Sequence, residues 1–326
     1  MKRREFITLL GSAAAAPFAA RAQRPLPLVE YLHPGSPEVG ARDVAAFRQG
    51  LRETGYIEGQ NVTVGYHWLE GQYDRVSVLM ADLVRRPVAV IAIPTSGPAA
   101  RIAKGATSTI PSVFGVAGDP VRMGLVASLA SPGGNATGVN FLAEEVVSKR
   151  LRLLHDLAPK VARVAVLINP ANATATENTL RDLHEAAPTM GIELRVVKAT
   201  TIAEIDAVFA TFARERPDAL FVGPDGFFSS RRVQFALLAA RDRIPATYTN
   251  RGYVTAGGLM SYGTDLVDVA REVGAYTGRI LRGAKPADLP VEQSTKFEFV
   301  INLQTARALD LEVPPAILSI ADELIE

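Results

Sequence analysis

The chain has 326 residues, 48% of them hydrophobic and 21% charged, with a formal net charge of +1; it is longer than one average domain and apolar enough to build two cores, which excludes a disordered chain. It contains no cysteine, so disulfides, thiol nucleophiles, iron–sulfur clusters, Cys-ligated zinc and the acylated cysteine of a lipoprotein are excluded together.

The first residues read as a targeting segment rather than as fold. Lys2-Arg3-Arg4 is basic, residues 7–20 are apolar or small, and Ala20-Arg21-Ala22 has the A-x-A form of a cleavage site, so export with cutting before Gln23 is expected. The apolar run is shorter than the roughly 20 residues a bilayer crossing needs. Arg3-Arg4-Glu5-Phe6-Ile7 has the form of a twin-arginine signal, which delivers a protein already folded. Cutting after Ala22 removes Lys2, Arg3, Arg4 and Arg21 against Glu5 alone, so the net charge falls from +1 to −2. A nearly neutral product has no electrostatic footprint for nucleic acid. With no second apolar run of spanning length, a soluble periplasmic monomer is expected.

Strands and helices then alternate. Strands are predicted over 28–32, 62–68, 88–93, 112–116 and 137–141, each short, apolar or β-branched and bounded by Gly or Pro. Helical spacing joins Val44, Phe47 and Leu51, then Val76, Leu79, Met80 and Leu83. This order predicts a parallel sheet covered on both faces. Three strand ends, Ser36-Pro37, Gly97-Pro98 and Asp119-Pro120, put a capping residue before proline, the favoured start of a helix. In a parallel sheet those starts share one edge, where open α/β sheets bind ligands, and their N–H groups suit a carboxylate.

A long helix from Glu144 (Val147, Leu151, Leu154, Leu157) opens the second half, which repeats the first. Strands are predicted over 164–168, 192–198, 219–222 and 246–248, with helices over 174–187, 202–214 and 229–242. Thr174-Ala175-Thr176-Glu177 fits a capping box. The tail departs from the repeat with a strand over 258–262, a helix over 264–281, a partly alternating stretch over 291–300 and a last helix from Leu303. These elements are best used to complete both lobes, with the chain crossing between them several times to form a hinge.

Enzyme signatures are absent. Neither Gly35 to Gly40 nor Gly133 to Gly138 has the spacing of a dinucleotide loop, and there is no P-loop or nucleophile elbow. None of the four histidines pairs with another at ligand spacing, so neither a metal nor a cofactor is expected. His67, His155 and His184 read as packed or surface residues, whereas His33, in the first strand-end loop, is a candidate hydrogen-bonding partner of a ligand. Asp225 in Gly223-Pro224-Asp225-Gly226 is either a turn residue or the partner of an ammonium group. Phe227, Tyr248, Asn250 and Tyr262 reach the same strand-end level and supply either pocket walls or core packing. Lys149-Arg150 and Arg231-Arg232 read as solvated helix faces.

These pieces resemble the exported substrate-binding proteins of ABC transporters with the type I periplasmic-binding fold, in the branch that includes tryptophan- and phenylalanine-binding members. The resemblance covers essentially the whole chain. It is carried by Arg3-Arg4-Glu5-Phe6-Ile7, Ala46-Phe47-Arg48-Gln49-Gly50-Leu51, Gly55-Tyr56-Ile57-Glu58-Gly59-Gln60-Asn61-Val62, Gly118-Asp119-Pro120-Val121, Ser131-Pro132-Gly133-Gly134-Asn135-Ala136-Thr137-Gly138, Asn169-Pro170 and Gly257-Gly258-Leu259-Met260-Ser261-Tyr262-Gly263. It implies an α/β chain of two Rossmann-like lobes with parallel sheets joined by a multi-strand hinge, closing on a small molecule and presenting it to a membrane permease. Residues 23–142 plus 251–286 would form lobe 1, and 143–250 plus 287–326 lobe 2. The loops at Ser36, at Thr95-Ser96-Gly97, at Asn169, at Asp225 and at Tyr262 would line the cleft, a solute carboxylate meeting the Ser96/Gly97 helix start and an ammonium meeting Asp225. Many members carry Ala-Asp-Pro where this chain has Pro224-Asp225-Gly226. An aromatic or branched amino acid is the preferred solute, and a sensor module handing its ligand state to a receptor is the alternative role.

Overall fold

The computed structural model describes residues 25–141 and 145–326; the export signal and the expected helix start at Glu144 lie outside the described residues. The first half runs β1 (Leu28–His33), α1 (Pro37–Glu53), β2 (Thr63–Trp68), α2 (Asp74–Leu83), β3 (Val88–Ile93), α3 (Gly97–Ala106), β4 (Ser112–Val116) and β5 (Ala136–Phe141). β3 is an unbroken apolar run because it lies inside a parallel sheet with helices on both faces: Val90 and Ala92 meet the layer of α1, and Ile91 and Ile93 meet α2 and α3.

The second half begins with α4 (Glu145–Leu157), β6 (Arg163–Ile168), α5 (Ala173–Ala186), β7 (Glu193–Lys198), α6 (Ile202–Phe212) and β8 (Ala219–Val222). It continues through α7 (Gly226–Ser230), α8 (Arg232–Arg241), β9 (Ala246–Tyr248), α9 (Arg251–Thr255) and β10 (Met260–Thr264). The tail is α10 (Leu266–Leu281), β11 (Glu292–Ser294), β12 (Phe297–Asn302), α11 (Leu303–Ala308), α12 (Pro315–Leu318) and β13 (Glu323–Ile325). α4 and α5 cover one face of the second sheet, and α6, α8 and α9 the other.

Two sheets result. The first, in the order β11-β5-β4-β3-β1-β2, is parallel throughout; the second, β13-β12-β10-β9-β8-β6-β7, is parallel from β10 to β7, with β12 antiparallel to β10. The expected segment boundaries differ at the returns. Met260–Thr264, expected in lobe 1, pairs with β9 and β12 in the second sheet, while Glu292–Ser294, expected in lobe 2, pairs with β5 in the first. The stretch over 291–300 is therefore two strands in two sheets, parted at Thr295 and Lys296. Beside that crossing, the Asp265 N–H donates to the Lys296 carbonyl at 3.0 Å, and Lys296 Nζ donates to Asp268 at 2.7 Å.

Other local expectations also change. Asp119-Pro120 starts a turn rather than a helix, since Gly124 takes φ +72° and ends the helical course. The helix expected over 229–242 is broken at Arg231 into α7 and α8. α5 begins at Ala173 with Asn172 as its N-cap residue, ahead of the capping box expected at Thr174.

α10 returns to the first lobe by lying directly on α1. A Cβ at Gly50 would overlap the Arg271 carbonyl, and one at Gly274 would overlap the Phe47 carbonyl, so the two backbones touch where both helices lack a side chain. Gly274→Val forces those backbones apart, and overpacking predicts a loss of about 1–3 kcal/mol or more, read as a lowered urea midpoint at unchanged slope.

Candidate functional site

The carboxyl ends of the parallel strands put the strand-end loops of each lobe on one edge. In lobe 1, His33 is 3% exposed; its Nδ1 accepts the Gly35 N–H at 3.0 Å, which leaves Nε2–H to donate to Asp43 at 3.0 Å. Both ring nitrogens are thus engaged inside the lobe, and His33 ties the first loop to α1 where a bond to a ligand was expected. Ser36 is the N-cap residue of α1, but its hydroxyl donates to Glu38 at 2.7 Å and makes no side-chain cap.

Ser96, one residue ahead of the Gly97 expected as the cap, is buried and accepts the Ala99 N–H at 3.2 Å as the N-cap residue of α3, between half-buried Thr95 and Gly97. Asp119 is exposed and accepts the N–H groups of Val121 at 2.8 Å and Arg122 at 3.3 Å, holding its own turn.

The Asp225 carboxylate accepts three hydrogen bonds. It caps α7 by accepting the Phe228 N–H at 3.1 Å, and it takes Asn169 Nδ2 at 3.1 Å and Asn172 Nδ2 at 3.2 Å. The Asn169 oxygen accepts the Ala171 N–H at 3.0 Å, so this amide braces the loop against Asp225. Phe227 is half-buried against the lobe core. Tyr248 is fully buried and stacked on Tyr253 with centroids 4.6 Å apart, a core position. Asn250 caps α9 through the Gly252 N–H at 3.0 Å. Tyr262 turns toward α4, with Lys149 Nζ 4.6 Å from its ring centroid and Phe297 stacked beside it.

Two further residues converge here that the sequence reading did not select. Tyr73, at the entrance to α2, brings its hydroxyl beside Ser96 and into the field of Asp225; burial pushes its phenol up, Ser96 opposes, and Asp225 adds to the rise. Across from it stands Gly226, where a Cβ would lie 2.5 Å from the Tyr73 hydroxyl. Lobe 1 therefore touches lobe 2 at this point, and Gly226 makes room for the contact.

Arg150, expected on a solvated face, is instead 3% exposed. Its Nη2 donates to the Val222 carbonyl at 2.7 Å, its guanidinium carbon lies 3.8 Å from the Phe221 ring centroid, and burial pushes its pKa down to about 9 against a smaller opposing effect of Tyr253. The signal was present in the spacing: Val147, Arg150, Leu154 and Leu157 form one stripe of α4.

The strand-end loops and α4 thus carry hydroxyl, amide, carboxylate and guanidinium groups. Among the described residues no cluster of His, Asp or Glu could hold a metal ion, and no helix is long and apolar enough to cross a membrane.

Comparison with known proteins agrees with this architecture. The profile of a family described as ABC transporter substrate binding protein matches residues 38–325. A tyrosine-binding protein of Clostridioides difficile is 27% identical over 267 residues, covering 82% of this chain and 76% of its own. The ABC domain of Streptococcus pneumonia in complex with L-Trp superposes with a TM-score of 0.81 at 25% identity, covering 92% of this chain and all of that one. A conserved domain protein of Vibrio cholerae superposes at 0.82 and 26% identity, covering 91% and 99%.

Gly226→Val places branched carbons where the Tyr73 hydroxyl now lies. The lobes should part, read as a larger radius of gyration by small-angle scattering, and pairing it with Tyr73→Ala should restore the smaller value.

Proposed function

The chain belongs to the family of ABC transporter substrate-binding proteins, and from that premise we propose that it is the exported, periplasmic component of an importer, capturing an aromatic amino acid between its lobes by hinge closure and delivering it to a membrane permease. The observation that carries this reading is the contact of Tyr73 on lobe 1 with Gly226, the residue after Asp225, on lobe 2. That contact joins a strand-end loop of one lobe to one of the other, and the chain crosses between the lobes more than once, which supports hinge closure.

Asp225 is the partner for an ammonium group. Its oxygens already accept from Asn169, Asn172 and the α7 start, which fixes their direction; a carboxylate with about four lone-pair sites still has capacity for another donor. The aromatic preference is supported by the tyrosine-binding and L-Trp-bound relatives.

Thermal-shift measurements with aromatic and branched amino acids, aromatic acids, sugars and nucleosides test the role. An aromatic amino acid at about 100 times its Kd should stabilise the fold by about 2.7 kcal/mol; a panel in which no small solute raises the melting temperature overturns it. Asp225→Asn should weaken amino-acid binding about 10- to 100-fold, the range for a hydrogen bond to a charged group, while sparing the matching deaminated acid. Equal losses for both solutes would remove the ammonium role.

A further inference from the structure

Arg150 is the one described side chain whose charge, depth and lack of counter-ion together call for a ligand of defined chemistry. It lies on the apolar stripe of α4, yet among the described residues no carboxylate stands within ion-pair distance of it. Nη2 is bonded to the Val222 carbonyl, and Nε is buried with no hydrogen-bond partner. A guanidinium presents five donors in a planar fork, suited to two parallel bonds with a carboxylate. Taken out of water and left with one carbonyl and one aromatic face, it is a charge awaiting a partner.

Its position directs that partner to the site already described. Side chains of a helix tilt toward its N-terminus, and α4 starts where the chain enters lobe 2, so Arg150 leans toward the strand-end edge. Val222, which it grips, is the last residue of β8, three residues before Asp225. The Tyr253 phenol feels both groups, Asp225 raising its pKa and Arg150 lowering it beneath the larger effect of burial. The guanidinium and the carboxylate thus lie at one strand end.

We propose that Arg150 receives the carboxylate of the bound solute, so that both charges of a zwitterion, the ammonium at Asp225 and the carboxylate at Arg150, are held by lobe 2. This rests on the amino-acid reading above and changes the expectation that the carboxylate meets α3. A helix N-terminus offers about half an elementary charge; Arg150 offers a full charge and an unused donor. Lobe 2 then captures the solute, and lobe 1 closes over it.

The test uses L-tryptophan and L-tyrosine beside tryptamine and tyramine, which lack only the carboxylate, titrated calorimetrically into the wild type, Arg150→Met and Arg150→Lys. The wild type should prefer each acid over its amine by at least about 100-fold, the scale on which a site built for a polar group rejects the analogue lacking it. R150M should lose that preference by weakening the acids alone, and R150K should recover part of it. Acid and amine weakened equally by R150M would overturn the proposal, because a merely structural arginine affects both. If no aromatic amino acid binds the wild type, the aromatic reading fails, and Arg150 is judged on the ligand-free proteins. A guanidinium held unpaired for a ligand predicts that R150M melts at or above the wild type, and a clearly lower melting temperature would overturn the proposal on its own.

Discussion

Parallel pairing is the constraint from which the site follows. Where neighbouring strands run the same way, every strand must be followed by a connection that returns over one face, and every returning helix begins on the same edge. In this chain that rule brings the loops after β1 and β3 together in one lobe, and those after β6, β8 and β9 together in the other. None of these loops is near the others in sequence. The antiparallel strand β12 does not weaken the rule, because it lies beyond β10 and carries the chain away from that edge.

Much of this was legible in the sequence. Alternation of apolar runs with three- and four-residue spacing located most strands and helices, and Gly97-Pro98 marked the start of α3, with the cap itself one residue earlier at Ser96. What failed did so for identifiable reasons. Asp-Pro satisfies the first free N–H groups of a turn as well as those of a helix, so Asp119 looked like a helix start, whereas Gly124 turns the chain aside. The passage from β11 to β12 runs through Thr295 and Lys296 with neither glycine nor proline to mark it, so two strands of different sheets read as one. The bond of His33 to Asp43 was not legible, because Asp43 lies ten residues on, along α1, and only the fold brings them into contact.

Arg150 shows a different limit. Arginine in a charged doublet reads as surface, since arginine is almost never fully buried without a partner. The helical stripe said otherwise, and the two signals conflicted. Such conflicts are expected where function overrides local preference, so a polar residue on an apolar stripe merits attention in itself. Tyr73 gave no comparable signal, because its place depends on Gly226, more than one hundred residues away and in the other lobe.

The contact of α1 with α10 bears on how the protein is made. Gly50 and Gly274 meet across more than two hundred residues of chain, and β11, still later, finishes the first sheet beside β5. Lobe 1 therefore cannot be completed until residue 294 is available, although its first strand is among the earliest residues to emerge. Contacts of such long sequence separation carry a loop-closure cost before they return any stability. During synthesis the early strands must wait with an uncovered face, while β6 through β9 form a nearly contiguous unit. Lobe 2 waits longer still for its edge, since β12 and β13 join its sheet only once residue 325 is available, so the same tail completes both lobes.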